Sequence, residues 1–396
     1  MLFRTEIIMS IKVDIDAPGF RVIESILSGA GEEARLVGGC VRDHLIGLEP
    51  KDLDIATTSP PEKVMEVFQS HGFKVVPTGL QHGTVTVIHE GEPYEITTLR
   101  TDVETDGRHA KVAFVKDWRK DAERRDFTIN AMSVSADGRL HDYFGGYDDL
   151  MAGEVRFVGD ADRRITEDYL RILRFFRFRA RFGTGGGDDA VMAVARHAAG
   201  LADISVERVW MEMAKILSHP DGYGQILLMD EIGVLSAIGF NGDSRYLSGI
   251  RQMRRHTDRP GMILGAMVSG ERHAAEIAAA WKLSSEDAED AVISARTLAD
   301  FTEEPNYWLS KAVDMDAPLK LVPALRMNRL VSAAAAIEAG VPVFPIMGRD
   351  LIAAGMKPGP QLGRVLSEMK EAWKQSGFTM DREELMGSVE GRRSAP

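Results

Sequence analysis

The sequence predicts an α+β head followed by an all-helical remainder. Between residues 34 and 134, short runs of alternating or β-branched residues recur, separated by helix and turn signals. From about residue 160 strand signals nearly vanish and helical periodicity takes over, with alanine-rich stretches at 190–200, 274–281 and 332–339. A chain of 396 residues is also too long for one small core, so two or more domains are expected.

In order, residues 18–30 read as a short helix and Ala34–Val37 as an apolar strand. Val41–Ile46 reads as a helix opened by Gly38-Gly39, and Asp52–Ala56 as a strand carrying two carboxylates. Thr58-Ser59-Pro60-Pro61-Glu62 is a helix start, with Ser or Thr as cap and Pro in the first turn, and the helix runs to about His71. Phe73–Pro77, Thr84–His89 and Tyr94–Leu99 read as strands, the last two joined by a hairpin turn at Gly91-Glu92. Arg100 to about Trp118 is polar and aperiodic and reads as a long mobile loop. Phe127–Val134 reads as another apolar strand, residues 142–150 close the first domain, and Gly387–Pro396 reads as a frayed tail.

Composition excludes several classes. No run of 18 apolar residues suggests a membrane span, and Met1–Ser10 carries no signal-peptide pattern. The single cysteine, Cys40, excludes an internal disulfide framework and argues for the cytoplasm. The net charge of −12 disfavours a nucleic-acid partner taken as a whole. The charge is uneven, however: Arg163, Arg164, Arg171, Arg174, Arg177, Arg179 and Arg181 face only Glu167 and Asp168, and Arg245, Arg251, Arg254, Arg255 and Arg259 form a second basic cluster. A local positive surface on an acidic body is compatible with RNA binding.

Three constellations carry chemistry. Gly38-Gly39 forms a turn that can approach a phosphate chain, just upstream of Asp52 and Asp54. Residues two apart on a strand point the same way, so the two carboxylates can converge on a hard divalent cation such as Mg²⁺, with substrate phosphates completing its shell. This combination implies a metal-dependent phosphoryl or nucleotidyl transferase, and Glu95 lies on a strand expected beside the carboxylate strand. Next, Arg124-Arg125-Asp126-Phe127-Thr128-Ile129-Asn130-Ala131-Met132 places an arginine pair where it can neutralise triphosphate charge, with Asn130 positioned to bond a sugar or brace a turn. Last, Asp168, Arg171, Arg174 and Arg177 step along one side of a helix at i, i+3 intervals, opposite Tyr169, Ile172, Leu173 and Phe176. Asp168 and Arg171 can form a donor–acceptor edge for a nucleobase, or an ordinary intrahelical ion-pair ladder.

These motifs, with His82-Gly83-Thr84-Val85-Thr86-Val87 leading to Tyr94-Glu95-Ile96-Thr97-Thr98, then Phe144-Gly145-Gly146 and Glu167-Asp168-x-x-Arg171, occur in the order of the DNA polymerase beta superfamily signature. The chain resembles class II bacterial CCA tRNA nucleotidyltransferases, and the likeness extends through Ile204-Ser205-Val206-Glu207-Arg208 and, more loosely, Gly355–Arg364. The resemblance implies a catalytic head of mixed sheet with helices over 18–155. It also implies a helical neck over 156–240 that selects the nucleotide and binds RNA, and a helical, tRNA-binding body and tail over 241–396. It implies template-independent addition of C, C and A to the tRNA acceptor end from CTP and ATP, with pyrophosphate release. Asp52 and Asp54 are then the ligands of catalytic Mg²⁺ with Glu95 as third carboxylate. Gly38, Gly39, Arg42, Arg125 and Asn130 would contact the nucleotide. Asp168 and Arg171 would read its base, with Arg174 and Arg177 in support. No membrane or protein partner is implied. Cys40, where a small residue is common, and Leu99, where Phe is frequent, are departures that touch no chemistry.

A bacterial poly(A) polymerase shares nearly all these motifs, and some enzymes add only CC or only A. Gln81–Val87 resembles the CCA-adding version rather than the basic stretch of the polymerases, and residues 100–118 supply the flexible loop that CC-only enzymes lack. A non-catalytic RNA-binding scaffold would have lost a carboxylate or the glycine turn, and both are intact. No His-Asp metal pair of phosphohydrolase type stands in the C-terminal half, since Arg255-His256-Thr257-Asp258 has the wrong order.

Overall fold

The computed structural model describes residues 7–393 apart from 14–16, 51, 106–109, 184, 186–187 and 243. The chain divides into two compact units, Met1–Asn241 and Gly242–Pro396. The first begins with β1 (Ile7–Lys12), α1 (Pro18–Gly29), β2 (Ala34–Val37), α2 (Gly39–Leu45), β3 (Asp54–Thr57), α3 (Pro61–Ser70), β4 (Lys74–Gly79), β5 (Thr84–His89) and β6 (Glu92–Thr98). It continues with β7 (Arg100–Thr105), β8 (Ala110–Phe114), α4 (Trp118–Glu123), β9 (Ser133–Ser135), β10 (Arg139–Asp142) and α5 (Gly146–Met151). Helices then follow: α6 (Ala161–Glu167), α7 (Leu170–Phe182), α8 (Asp188–His197), α9 (Val206–Ser218), α10 (Gly222–Glu231) and α11 (Val234–Ala237).

Eight strands form one mixed sheet in the order β1-β10-β9-β2-β3-β6-β5-β4. Its neighbours pair antiparallel except β3 and β6, which run parallel. The parallel pair needs a crossover, which α3 and the β4–β5 hairpin supply. Ile23 and Leu27 of α1 and Val64 and Phe68 of α3 are buried with Leu36, Ile55, Val85, Val87 and Ile96 of the sheet. The α6–α11 region has its own aromatic core, in which Phe127 and Phe157 from the head meet Phe175 and Phe178 of α7.

Four expectations change. Residues 100–118 are not a featureless loop: β7 and β8 pair, with Arg100 opposite Phe114 and Thr105 opposite Ala110. This two-stranded ribbon is a separate sheet, not hydrogen-bonded into the main one. Asp106 and Arg108 lie outside the described residues. The β5–β6 turn is Glu90-Gly91, one residue earlier than expected, and both residues have positive φ, 53° and 89°, as a two-residue hairpin turn of type I′ demands. Phe127–Val134 is not one strand: a 3₁₀ turn, Thr128–Asn130, precedes β9. Finally, the terminal helix Arg382–Arg393 runs on where a frayed tail was expected, residues 394–396 lying outside the described residues.

The segment between α1 and β2 is a buttress for the sheet. Glu32 accepts hydrogen bonds from Thr58 Oγ1 at 2.7 Å, Lys63 Nζ at 2.8 Å and Lys116 Nζ at 3.3 Å. Glu33 accepts from Trp118 Nε1 at 2.8 Å, and its carbonyl accepts from Thr57 Oγ1. Cys40 packs in the same sheet, its thiol donating to the Val37 carbonyl at 3.2 Å, and burial pushes its pKa up to about 11.

The second unit is all helical in its described residues. Met262, Ile293, Trp308, Leu325 and Ile337 form one core, and Ile346, Leu351, Met369, Trp373 and Leu385 another. Of its basic cluster, Arg259 is committed to Asp290 at 2.6 Å and Glu286 at 2.7 Å.

Glu32 makes a testable contribution to stability. Burial alone would raise its carboxyl, but the hydrogen bonds from Lys63, Thr58 and Lys116 outweigh burial and hold it at about 2, against an ordinary 4.5. The folded value lies below the unfolded one, so the stabilisation is complete above pH 4.5 and is lost as pH falls toward about 2. Glu32→Gln should cost up to about 3 kcal/mol at neutral pH and nothing at the acid end. Urea unfolding across pH, wild type against variant, measures the convergence.

Candidate active site

The carboxylates owe their meeting to the parallel pairing. Its register sets Asp54, the first residue of β3, directly beside Glu95 in the middle of β6, and both are exposed. Asp52 is not on the strand: β3 begins at Asp54, and Asp52 sits in the bend before it. The reason lies in β2. Leu36 opposes Ile55, so Leu53 would need Gly38 as partner, and Gly38 leaves the sheet at φ +72°. Asp52, Asp54 and Glu95 nonetheless line one open cavity of about 890 Å³, with His44, Glu49, Glu92 and Tyr94 around them. Desolvation raises the Asp54 carboxyl above its ordinary value, and the Glu95 and Asp52 charges add to the rise against the opposing charge of Arg125.

That crowding of anions fits a hard divalent cation. Among the described residues, no three His, Cys, Asp or Glu side chains already stand in metal-holding geometry. An all-oxygen set left incomplete by the protein suits Mg²⁺, which binds through one or two carboxylates and leaves positions for phosphate oxygens.

A second cavity, of about 480 Å³, lies on the glycine turn. Six arginines line it (Arg42, Arg124, Arg125, Arg171, Arg174 and Arg208) against two carboxylates, Asp126 and Asp168. Gly38, Gly39, Asn130, Leu170 and Phe178 complete the wall. A β-carbon on Gly38 would lie 2.6 Å from Arg125 Nη1, and its φ already excludes ordinary residues, so glycine is what lets Arg125 reach the turn. Arg125 also joins the two cavities, since its charge acts on Asp54.

Each arginine here has an anchor. Asp121 of α4 accepts from Arg124 Nε at 2.9 Å and Arg125 Nη2 at 3.4 Å. Asp126, largely buried at the cavity wall, accepts from Arg174 Nε at 2.7 Å and from Asn130 Nδ2 at 3.0 Å. Burial works against the Asp126 charge, but Arg174, Asn130 and the Phe127 N–H outweigh it and hold the carboxyl below its ordinary range. Asn130 in turn accepts from Arg42, whose other nitrogens donate to Asp43 at 2.7 and 2.8 Å, so Asn130 braces the turn.

Asp168 and Arg171 do not share one helix face as expected. The helix breaks: α6 ends at Glu167, and Asp168 is extended at φ −157°, ψ 103°. Asp168 Oδ1 accepts from the Leu170 N–H at 3.1 Å, the local bond that favours Asp at helix starts over helix interiors. Its Oδ2 accepts from Arg208 Nη2 at 2.8 Å, so its ion pair is with α9 and not with Arg171. Arg171 donates to Glu167 at 2.8 Å, to the Arg164 carbonyl at 2.6 Å and to the Arg124 carbonyl at 3.4 Å. Both still face the same cavity. Arg177 does not: it pairs with Glu212 at 3.1 Å, outside the cavity lining.

The sequence reading passed over Asp121, Asp126 and Arg208 as site residues, and Phe178 with them. Asp121 lies four residues before Arg125, a helical ion-pair spacing that was available as a signal. Arg208 pairs across 40 residues, and no local pattern reports that.

A family model for the "Poly A polymerase head domain" matches residues 34–156, and one for the "Probable RNA and SrmB- binding site of polymerase A" matches 188–238. The chain is 36% identical over 397 residues to the mouse (Mus musculus) CCA tRNA nucleotidyltransferase 1, mitochondrial, covering 94% of this chain and 89% of that protein. It is 31% identical to the CCA-adding enzyme of Bacillus cytotoxicus, over 93% and 96% of the two chains. The crystal structure of the Bacillus stearothermophilus CCA-adding enzyme in complex with CTP superposes with a TM-score of 0.76 at 29% identity, covering 95% of this chain and 99% of that one.

The anchoring of Arg174 can be tested directly. Asp126→Asn keeps the shape but removes the counter-charge of the half-buried Arg174 guanidinium, and losing a hydrogen bond to a charged group costs roughly 1.5–3 kcal/mol. Denaturant unfolding should show a loss of that order, with Asp203→Asn, an exposed site, as a control near zero.

Proposed function

The chain belongs to the family of CCA-adding tRNA nucleotidyltransferases, and on that premise we propose that it adds C, C and A to the 3′ end of tRNA. It does so without a nucleic-acid template, using CTP and ATP and releasing pyrophosphate. The observation that carries the reading is the pairing of two cavities, one lined by six arginines and one by five carboxylates, with Arg125 lining the first and its charge reaching Asp54 in the second.

The arginine cavity takes the nucleoside triphosphate, whose charge the guanidinium forks of Arg42, Arg125 and Arg174 balance. Asp168 offers an acceptor and Arg171 a donor at its edge. Three of the five Arg171 N–H groups are spent on Glu167 and two carbonyls, which fixes the side chain and leaves two for a base. Cytosine and adenine each present an amino donor beside a ring-nitrogen acceptor; uracil and guanine present the reverse. An Asp acceptor beside an Arg donor therefore selects C and A. The carboxylate cavity takes the tRNA end. Asp52 and Asp54, with Glu95, would hold Mg²⁺ there; when bound, such an ion lowers the pKa of the attacking hydroxyl and offsets phosphate charge. The β7–β8 hairpin, one residue beyond β6, is our candidate for reshaping the pocket between C and A addition. The single cysteine, which rules out an internal disulfide framework, supports a reducing compartment such as the cytoplasm.

A tRNA lacking its 3′ end, incubated with each nucleoside triphosphate in turn and sequenced, tests the activity: ordered C, C, A products are expected, and an A-only tail would mean a poly(A) polymerase. Asp54→Ala should lose about 1,000-fold in turnover, the equivalent of ~4 kcal/mol of transition-state stabilisation, with tRNA affinity kept. Near-normal turnover would remove Asp54 from the metal site. Arg171→Ala should erode the preference for C over U by about one to two powers of ten, the worth of a charged hydrogen bond at roughly 1.5–3 kcal/mol. An unchanged C-to-U ratio would leave Arg171 as a structural ion pair.

A further inference from the structure

Phe178 of α7 is wrapped by guanidinium groups. The Arg42, Arg174 and Arg177 side chains stand with their guanidinium carbons 5.2, 5.4 and 4.6 Å from its ring centroid. The ring is 6% exposed, and it borders the arginine-lined cavity. Its own tilt is set from the head, edge-on to Phe127 at 5.3 Å, and from α7, stacked on Phe182 at 5.8 Å.

Three like charges around one ring repel each other. Each is met by a carboxylate: Asp43 for Arg42, Asp126 for Arg174, Glu212 for Arg177. Arg42 is held at its edges by Asp43 and Asn130, and Arg174 at one edge by Asp126. The negative face of an aromatic ring adds a restraint from above the plane, because a cation held over it gains attraction only in a narrow range of positions. Phe178 thus adds this restraint at once to an arginine of the glycine-turn helix, which Phe182 also flanks at 4.5 Å, and to one of α7, both of which line the cavity.

We propose that Phe178 is a positioning residue for nucleotide binding, holding the planes of Arg42 and Arg174 toward the triphosphate while touching no reacting atom. This rests on the reading of the arginine-lined cavity as the nucleotide seat. Leucine at this position keeps apolar bulk but removes the π face; tyrosine keeps the ring.

The test is steady-state kinetics on tRNA lacking its 3′ end, with CTP and with ATP varied, beside thermal unfolding of each protein. The comparison is Phe175→Leu, a buried neighbour in the same aromatic cluster whose ring meets Arg179 rather than the cavity arginines. Phe178→Leu should raise KM for both nucleotides by about tenfold, what two lost cation–π contacts of moderate strength amount to, with kcat and the KM for tRNA nearly unchanged. Phe178→Tyr should restore the nucleotide KM. Phe175→Leu should lower the unfolding temperature without moving that KM. A Phe178→Leu enzyme with unaltered nucleotide KM, an equal rise in Phe175→Leu, or no rescue by tyrosine overturns the proposal. If Phe178→Leu does not fold, Phe178→Met, unbranched and adaptable, takes its place under the same criteria. Wild-type protein that incorporates neither CTP nor ATP would refute the enzymatic reading itself; a failed KM shift in active enzyme refutes only the role of the ring.

Discussion

Asp126 is the carboxylate on which the site is hung. It lies in a loop of the head, yet its charge is neutralised by Arg174 of the helix that follows. Through Asn130 the same carboxylate reaches Arg42, Arg42 reaches Asp43, and Arg181 of the same helix closes the circuit on Asp43 at 2.9 Å. The glycine turn, the arginine motif and α7 are thereby one hydrogen-bonded ring. Removing Asp126 or Asp43, both largely buried, would leave an arginine of this ring without its counter-charge, which costs more than losing an exposed ion pair.

The second constraint is topological. A single parallel pairing inside an otherwise antiparallel sheet brings Asp54 to the level of Glu95, and the departure of Gly38 from β2 ends β3 there. The exposed Asp54 therefore sits where β3 runs out of partners in β2, with Glu95 beside it on β6, next to a turn that is open because it has no β-carbon. The two cavities are consequences of the same event, the chain turning away from the sheet at Gly38-Gly39.

Charge placement explains an apparent contradiction in the composition. A chain of net charge −12 still offers a cationic cavity, because six arginines converge there against two carboxylates. Asp121 and Glu212 are nearly inaccessible and lie outside the cavity lining, so they orient arginines without presenting negative charge there, while Asp126 lines the cavity but is spent on Arg174 and Asn130. Part of the Arg-rich character of α7 is structural for the same reason: Arg177 is spent on Glu212, and Arg179 stands over Phe175 with Gln225 as its neighbour.

Local features were legible in the amino-acid order. The glycine turn, Asp54, Glu95 and the arginine pair are short-range patterns, and period-2 and period-3.6 spacing revealed most strands and helices of the head, because burial of one face leaves that imprint. The β7–β8 ribbon was not legible, since residues 100–118 are polar and aperiodic. Partnerships were not legible either. Whether Asp168 pairs with Arg171 or with Arg208 depends on the helix breaking at Asp168 and on α9 arriving beside it. By itself the sequence determined which chemical groups are present and which elements carry them. Only the tertiary structure decided which charges neutralise one another and which remain for a ligand, because a buried ion pair is chosen by the packing of segments dozens of residues apart and not by their spacing along the chain.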